Sequence, residues 1–447
     1  MAIRQRWNTF IWQNTDAHGL GVFRCLFGIL MCSAILRFWL NGWIETLLLA
    51  PQYHFHYAWF PDISVPSGPI VYGLFITVAV SAIFIACGRY TRMAALIFFV
   101  GFTYLELLDK ALYLNHYYLI SLIAFLLIWV PSDRAFSLRK HSGAPVIPIG
   151  VYQLFRIQVG LVYVCAGVAK LNSDWLFRGE PLGTWLATMG HVDLIGPLLT
   201  LPETALIMSW AGACFDLSIC GFLAYRKTRK WAYAIACVFH IVVGSLFPIG
   251  IFSFVMMLCV TIFFEPNWLR NLVARLSNLS CPHGEVSNTE IPPNARSELR
   301  LALACVWIGV QCVLPFRFLA YEGPVNWTEN GFRFAWRVML IEKTGTVDYR
   351  IRLTETNRQF RVYPRRILAP HQARILPTQP DMIMEFAQVL GKEFETRYGE
   401  KAEVFADAYV SFNGRSSQRY VYPDVNLNAP GTPVESVVYP LSKVTGY

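Results

Sequence analysis

The sequence predicts a polytopic α-helical membrane protein of about nine spans, with a C-terminal α+β domain outside the cytoplasm. Of its 447 residues, 55% are hydrophobic and only 15% are charged, whereas a soluble protein of this length has about 25% charged residues. Apolar runs of nearly spanning length recur as far as residue 317. Beyond them, the residues alternate as paired strands do and include one helical pattern.

Nine apolar runs approach the length of about 20 residues that crosses a bilayer. We predict spans at residues 19–40, 68–87, 93–109, 112–130, 151–169, 204–225, 231–247, 249–264 and 300–317. The third, seventh and eighth runs are short for a span. The first run follows a polar N-terminus with Arg4, Arg6 and Asp16 and has no small-residue cleavage site. We therefore expect a retained span there and not a removed signal peptide.

Lys and Arg collect in alternate connections between these runs, which is typical of connections that stay in the cytoplasm. The sixth connection reads RKTRK at residues 226–230, whereas residues 41–67 and 247–249 contain neither Lys nor Arg. This alternation places the N-terminus in the cytoplasm and everything after residue 317 outside it. The formal net charge of +9 is explained by helix orientation, and we expect no nucleic-acid partner.

We divide the chain into a helical membrane domain, residues 1–317, and an extracytoplasmic domain, residues 318–447. Among the cytoplasmic connections, residues 278–297 are where we expect disorder. Cys281 and His283 lie there, but two potential ligands in a loop are too few for a zinc site, and we predict no metal. The sequence contains no P-loop, Rossmann glycine pattern, HExxH or GxSxG motif.

The extracytoplasmic domain has the pattern of a small α+β fold that rests on the membrane domain. We predict strands at residues 346–353, 358–363, 404–412 and 418–422 and a helix at residues 381–399. Asn413–Gly414 is a hairpin turn signal between the last two strands. We therefore expect those two strands to pair antiparallel.

Polar side chains inside the apolar runs are the best candidates for function, because an ionisable group in a membrane is costly. With the predicted topology, six of them fall in the outer half of the membrane: Glu106, Asp109, Asn115, His116, Lys170 and His240. Each has a structural alternative, since a terminal lysine can snorkel to the interface and a buried His or Asn can bond a neighbouring helix. Glu106 and Asp109 lie at the outer end of the third run, and for both we keep the interpretation that they mark the water boundary. Cationic residues are rare on the outer face, however, so the positive-inside bias does not explain Lys170.

The segments around these residues resemble vitamin K-dependent gamma-glutamyl carboxylases. AGVAKLNSDW, which contains Lys170, looks like the segment of the proposed active-site base of that family. NHYYLISLIAF resembles the family's Asn-His segment, and FHIVVGSLFPIGIFSFVM resembles its later His-containing span. LPFRFLAYEGPVNWTENGFRFAW and AYVSFNGRSSQRYVYPDVNL resemble the entry to its external domain and a late strand pair. The resemblance covers nearly the whole chain and indicates a bacterial-type member with an HTTM-like membrane domain.

The resemblance implies a carbon–carbon lyase that oxidises reduced vitamin K to its epoxide with O2 and carboxylates glutamate γ-carbons with CO2. It implies that Lys170 is the base that accepts a proton from the quinol, with His116 and Asn115 as hydrogen-bond donors to the quinone oxygen. Lys170 must then be neutral, and we expect an apolar pocket to keep it so. We also expect Lys170→Ala to leave the fold intact, because no demanding partner would remain.

The remaining candidate residues are also taken from the resemblance. It implies that His240, Ser245 and Phe252 bind the cofactor. It also implies that the late strand pair handles the substrate, through Arg415, Gln418 and Arg419. The expected partners are the lipid bilayer and a glutamate-containing protein or peptide.

Two alternatives remain open. The first is a quinol epoxidase that does not carboxylate, which is favoured by two departures from the animal family members. These members typically have Lys-Lys where this chain has Ala169–Lys170, and Asn and Ser where it has the run at residues 241–245. The second is a non-enzymatic transporter or assembly factor. A transporter typically shows broken helices near the membrane midplane, which the sequence does not indicate.

Overall fold

The structure is a computed structural model that describes residues 10–277 and 295–442. Arg4, Arg6, Cys281 and His283 lie outside the described residues. The stretch expected to be disordered, 278–297, lies outside them as far as residue 294, and its last three residues begin a helix.

Each of the nine predicted apolar runs contains a helix. They are α1 (His18–Leu40), α2 (Gly68–Cys87), α3 (Thr91–Leu107), α4 (Asn115–Trp129), α5 (Ile149–Ala169), α6 (Pro202–Ala224), α7 (Arg229–Leu246), α8 (Phe252–Val260) and α9 (Ala295–Val313). Among the described residues, five are long and apolar enough to cross a membrane, namely α1, α2, α5, α6 and α9 with its 3-10 extension Leu314–Ala320. The protein is thus a membrane protein with five candidate spanning helices, and the count of nine spans stays a prediction.

The helices form one bundle. Neighbours in the chain pack on one another from α1 to α4 and from α5 to α8, while α8 packs on α1 and α9 packs on α5. A short antiparallel sheet of β1 (Asn14–Asp16) and β2 (Val146–Pro148) joins the segment before α1 to the start of α5. Further short helices lie in the connections and the C-terminal domain, at Ser173–Arg178, Leu182–Leu186, Gly196–Leu199, Trp268–Ser277, Val325–Thr328, Pro370–Ile375 and Val434–Val437.

The C-terminal domain is an α+β fold, as predicted. Its strands are β3 (Lys343–Leu353), β4 (Gln359–Val362), β5 (Ala402–Phe412) and β6 (Gln418–Arg419), which form an antiparallel sheet in the order β4-β3-β5-β6. The helix α10 (Pro380–Tyr398) packs on β5, where every second side chain is buried. The predicted pairing around Asn413–Gly414 is confirmed, because Tyr409 and Val410 pair antiparallel with Arg419 and Gln418.

The C-terminal domain rests on the connection that follows α3. Gln372 donates a hydrogen bond of 2.7 Å from Nε2 to Asp109 Oδ2. Lys110 forms ion pairs with Asp381 at 3.0 Å and Glu385 at 2.7 Å. These charged and polar contacts join the two domains at the end of the bundle where we expect the outer membrane face.

The predicted topology has a direct test. A reporter enzyme that works only outside the cytoplasm is expected to be active when it is fused after residue 330, since the Lys and Arg alternation places that residue outside. The same reporter fused after Lys227, within the basic connection RKTRK, should be inactive. A cytoplasmic signal from residue 330 would contradict the orientation and the common depth of the polar groups.

Candidate functional site

Lys170 directly follows α5, and its amine donates a hydrogen bond to a carboxylate of α6. Nζ lies 2.7 Å from Asp216 Oδ2, and the two side chains are only 7% and 9% exposed. The same amine lies 5.1 Å from the ring centroid of Trp175. The indole N–H of Trp175 in turn donates to the carbonyl of Ser209 on α6, at 2.6 Å. The lysine is thus held between a buried carboxylate and an aromatic face.

A close approach of α5 and α6 brings this pair together. Gly167 lies two residues before the end of α5, and a Cβ added there would lie 2.8 Å from Leu217 Cγ. Asp216 precedes Leu217 on α6. Because a larger residue at position 167 would separate the helices, the glycine allows the short contact between Lys170 and Asp216.

The pair corrects two expectations. The surroundings of Lys170 are not only apolar, and Lys170→Ala would leave a demanding partner, the buried carboxylate of Asp216. Sequence reasoning missed Asp216, which lies 46 residues from Lys170. A signal was nevertheless present, because Asp216 is an isolated acid inside the sixth apolar run and such residues are functional candidates.

The two predicted histidines lie on either side of Phe252. The rings of His116 and His240 each lie 5.9 Å from the ring of Phe252, measured between centroids. His240 is 2% exposed, and its Nε2 lies 2.7 Å from the hydroxyl of Tyr163 on α5. Its Nδ1 is buried and has no hydrogen-bond partner among the described residues. The structure therefore brings three predicted residues into one aromatic group, to which it adds Tyr163.

This aromatic group lies deeper in the bundle than Lys170. Tyr163 precedes Lys170 by seven residues on α5, which corresponds to about 10 Å along the helix axis. The aromatic group and the Lys170–Asp216 pair are linked through α6, because Phe215, the neighbour of Asp216, packs on Tyr163 with ring centroids 5.8 Å apart. The candidate site thus has an inner aromatic part and an outer part with the Lys170–Asp216 pair.

Asn115 binds the segment that leads into the C-terminal domain. Its Nδ2 donates to the backbone carbonyl of Arg337 at 3.1 Å, and its Oδ1 accepts from the hydroxyl of Tyr113 at 3.0 Å. Ser245 is exposed, and its hydroxyl donates to the carbonyl of Ile241 in its own helix. The structure therefore gives Asn115 an interdomain contact and places Ser245 outside the group around Phe252.

The three residues expected to handle substrate are engaged within the protein. Arg415 forms a two-pronged ion pair with Asp174, at 2.6 and 2.7 Å, and these side chains are 15% and 10% exposed. Gln418 accepts from the backbone N–H of Ser442 at 3.0 Å. Arg419 donates to the hydroxyl of Tyr409 at 2.6 Å. Their role toward a substrate stays a prediction, whereas Arg415 clearly joins the two domains.

Arg415 and Asp174 provide a test of this domain contact. Burial acts to raise the pKa of Asp174, but hydrogen bonds and charge from Arg415, with Asn413 and Arg178, hold that pKa below its ordinary value. Arg415→Met is expected to lower the free energy of unfolding by about 2 kcal/mol. A depressed pKa stabilises the fold above about pH 4, the ordinary value for aspartate, and this contribution is lost as the pH falls through the folded-state pKa.

Thermal unfolding of the full-length protein between pH 7 and pH 3 would measure this effect. The difference in midpoint between wild type and Arg415→Met should shrink on acidification below about pH 4. Arg397→Met is a matched control, because Arg397 forms an exposed ion pair with Glu393 and such pairs contribute little. Equal midpoints for wild type and Arg415→Met at pH 7 would contradict the assigned contact.

Two family models match the chain. Residues 12–268 match the HTTM domain, and residues 296–442 match the lumenal domain of vitamin K-dependent gamma-carboxylase. The first model covers the helices that carry Lys170, Asp216 and both histidines, and the second covers the α+β domain. No solved structure matches the chain.

Proposed function

Because the chain belongs to the vitamin K-dependent gamma-carboxylase family, with an HTTM domain followed by the family's lumenal domain, we propose that it oxidises reduced vitamin K with O2 and carboxylates protein glutamate with CO2. The observation that carries the proposal is the buried pair of Lys170 and Asp216. The carboxylate oxygen of Asp216 lies 2.7 Å from the amine of Lys170 and can take one of its protons. The neutral amine that remains is suited to accept a proton from a substrate.

The pair provides a neutral amine by a short proton transfer. Movement of one proton from Nζ of Lys170 to Oδ2 of Asp216 converts an ion pair into a neutral pair. Burial disfavours charge on both groups, so this transfer is easier here than in water. The lone pair of Nζ then accepts the proton of a quinol hydroxyl, while Asp216 retains the first proton. Trp175 holds the amine in place from its other side.

The inner part fits the ring of a quinol. The partly buried ring of Phe252 and the two buried imidazoles offer an aromatic surface. With Tyr163 donating to Nε2 of His240, the neutral imidazole keeps its proton on Nδ1, which has no other partner among the described residues. This N–H is suited to donate to a quinol or quinone oxygen as negative charge develops there.

The chain's own residues therefore bind and orient the cofactor and move its first proton. Reduced vitamin K, when bound, supplies through its oxidation by O2 a base strong enough to remove a γ-proton from glutamate, where CO2 then adds. Exclusion of water matters for such a base, and the aromatic group around Phe252 and Tyr163 lies in the buried interior of the bundle.

A second candidate function is quinol epoxidation without carboxylation. It is favoured by the contacts of Arg415, Gln418 and Arg419, each of which already has a polar partner within the protein. These residues would have to exchange partners to hold a peptide. Ala169 also stands where animal family members typically have a second lysine.

One assay separates the candidates. The purified full-length protein is supplied with reduced vitamin K, O2, labelled bicarbonate and a glutamate peptide, and the epoxide and the fixed label are measured separately. Both products are expected under the proposal. The epoxide alone would support the second candidate and overturn carboxylation. The absence of both products would overturn both functions.

A further inference from the structure

The second half of the connection between α5 and α6 exposes a group of apolar side chains. We call residues 187–201 the outer loop; it contains the short helix Gly196–Leu199. Leu194 is 100% exposed, while Leu198 and Leu201 are 58% and 46% exposed. Grouped apolar residues on a surface mark a place where a partner binds. The described part of the chain leaves these three side chains largely uncovered, so their partner lies outside it.

Leu194 is held outward by an unfavourable backbone. Its φ is 66°, in the left-handed region that few residues other than glycine and asparagine adopt. Two glycines approach closely to form this turn, since a Cβ added at Gly196 would lie 2.4 Å from the carbonyl oxygen of Gly190. By contrast, the exposed turn residue Asn357, with a φ of 51°, is of a type that suits the conformation. A fully exposed leucine in this conformation stabilises nothing within the protein, which indicates an apolar partner outside it.

The outer loop lies beside the lipid-facing side of α6. Thr204, in the first turn of α6, donates to the carbonyl of Leu198 at 2.7 Å, and the indole of Trp210 donates to the carbonyl of Leu176 at 2.8 Å. These bonds hold the connection along the outer end of a helix that is long and apolar enough to span a membrane. On this helix Ile207 and Trp210 are 69% and 47% exposed, and tryptophan is typical of the membrane–water interface. The exposed surface of the outer loop therefore continues a lipid-facing surface.

The charges around the outer loop do not favour anionic lipid. Residues 179–225 contain neither Lys nor Arg. The exposed carboxylates are those of Asp193 in the loop and Glu203 in the first turn of α6. Basic segments bind anionic headgroups, whereas apolar side chains bind by burial among the acyl chains. The partner that fits this surface is thus the apolar region of a leaflet with zwitterionic headgroups.

We propose that the outer loop inserts into the outer leaflet of the bilayer, with Leu194 among the acyl chains below zwitterionic headgroups. Removal of the leucine from water offsets the cost of its left-handed backbone. The inference does not depend on the reaction that the protein catalyses. It does bear on the candidate site, because the same connection carries Trp175, whose ring centroid lies 5.1 Å from the amine of Lys170. Insertion of the loop therefore fixes the depth of that amine below the membrane surface.

Depth measurements in a bilayer test the insertion. An environment-sensitive fluorescent amino acid is incorporated genetically at position 194 of the full-length protein, which is placed in phosphatidylcholine nanodiscs. The emission is expected to be shifted to the blue and to be quenched by phosphatidylcholine with brominated acyl chains, but not by iodide in the buffer. Asn357 is the matched control position, because it is also exposed and left-handed but lies in the turn after β3, away from the bundle. The probe there should respond to iodide alone.

Leu194→Asn tests the anchoring side chain, since asparagine tolerates the left-handed backbone but is polar. With the probe at position 198, this variant should show a shift of the emission to the red and a partial loss of quenching by the brominated lipid. The loop would then have lost its deepest apolar contact. Unchanged quenching at position 198 would contradict the role of Leu194.

Three results at position 194 would overturn the insertion. Quenching by iodide without quenching by lipid would show that the loop lies in water. Protection from both quenchers would show that protein, such as a second copy of the chain, covers it. Quenching by lipid only when phosphatidylglycerol is added would show that anionic headgroups bind the loop, contrary to the proposal.

Discussion

Lys170→Ala is expected to reduce quinol epoxidation by about 10²- to 10⁴-fold, the range that a general base contributes. The first proton of the quinol would have no amine to accept it, and burial favours the neutral, protonated form of Asp216 once its counter-ion is gone, so the carboxyl group cannot take the proton instead. Lys170→Arg should not restore activity, since a guanidinium stays protonated and cannot accept a proton. The rate of epoxide formation by purified protein at saturating quinol measures the effect.

The loss must be separated from a general defect in folding. Lys230→Ala, at an exposed lysine in the first turn of α7, is a matched control that should epoxidise at the wild-type rate. The Arg variant serves as a second control, because it retains a cation beside Asp216. Normal epoxide formation by Lys170→Ala would show that Lys170 only anchors the end of α5.

Asp216→Ala is expected to lower the free energy of unfolding by about 3–5 kcal/mol, because it leaves the amine of Lys170 buried without its partner. Replacing both residues, as Lys170→Met with Asp216→Leu, should recover most of this loss, since apolar residues of similar volume need no counter-ion. Equilibrium unfolding of the full-length protein in mixed micelles measures both changes. The double variant should nevertheless be inactive, because it lacks the base.

Asp193→Ala provides the matched control, because Asp193 is an exposed acid in the connection between α5 and α6. It should unfold as wild type does. If Asp216→Ala were as stable as wild type, or if the double variant were no more stable than Asp216→Ala, the buried pair would not have the energetic role inferred from its geometry.

Local sequence patterns predicted the elements of the fold well. Runs of apolar residues located all nine helices of the bundle, because helix length and hydrophobicity are properties of contiguous residues. The strand alternation and the signal at Asn413–Gly414 located β5 and β6 for the same reason. The number of runs that cross the membrane was less well determined, since α3, α4, α7 and α8 are not among the helices long and apolar enough to cross it.

The sequence also identified the segments that carry Lys170, His116 and His240, through their resemblance to a known family. It did not identify what these side chains contact. Asp216 is 46 residues from Lys170, and Tyr163 is 77 residues from His240. Likewise, nothing local indicated that Arg415 pairs with a residue 241 positions away in the membrane domain.

By itself, then, the sequence determined a helical membrane domain, an α+β domain and a family likeness, since these depend on periodicity and composition along the chain. Only the tertiary structure decided that Lys170 has a carboxylate partner and that Arg415 pairs with Asp174 of the membrane domain. The physical reason is that such contacts depend on how each helix is rotated and how closely it crosses its neighbour. At Gly167 that approach is set by a missing Cβ, whose effect appears only when α6 is packed against it.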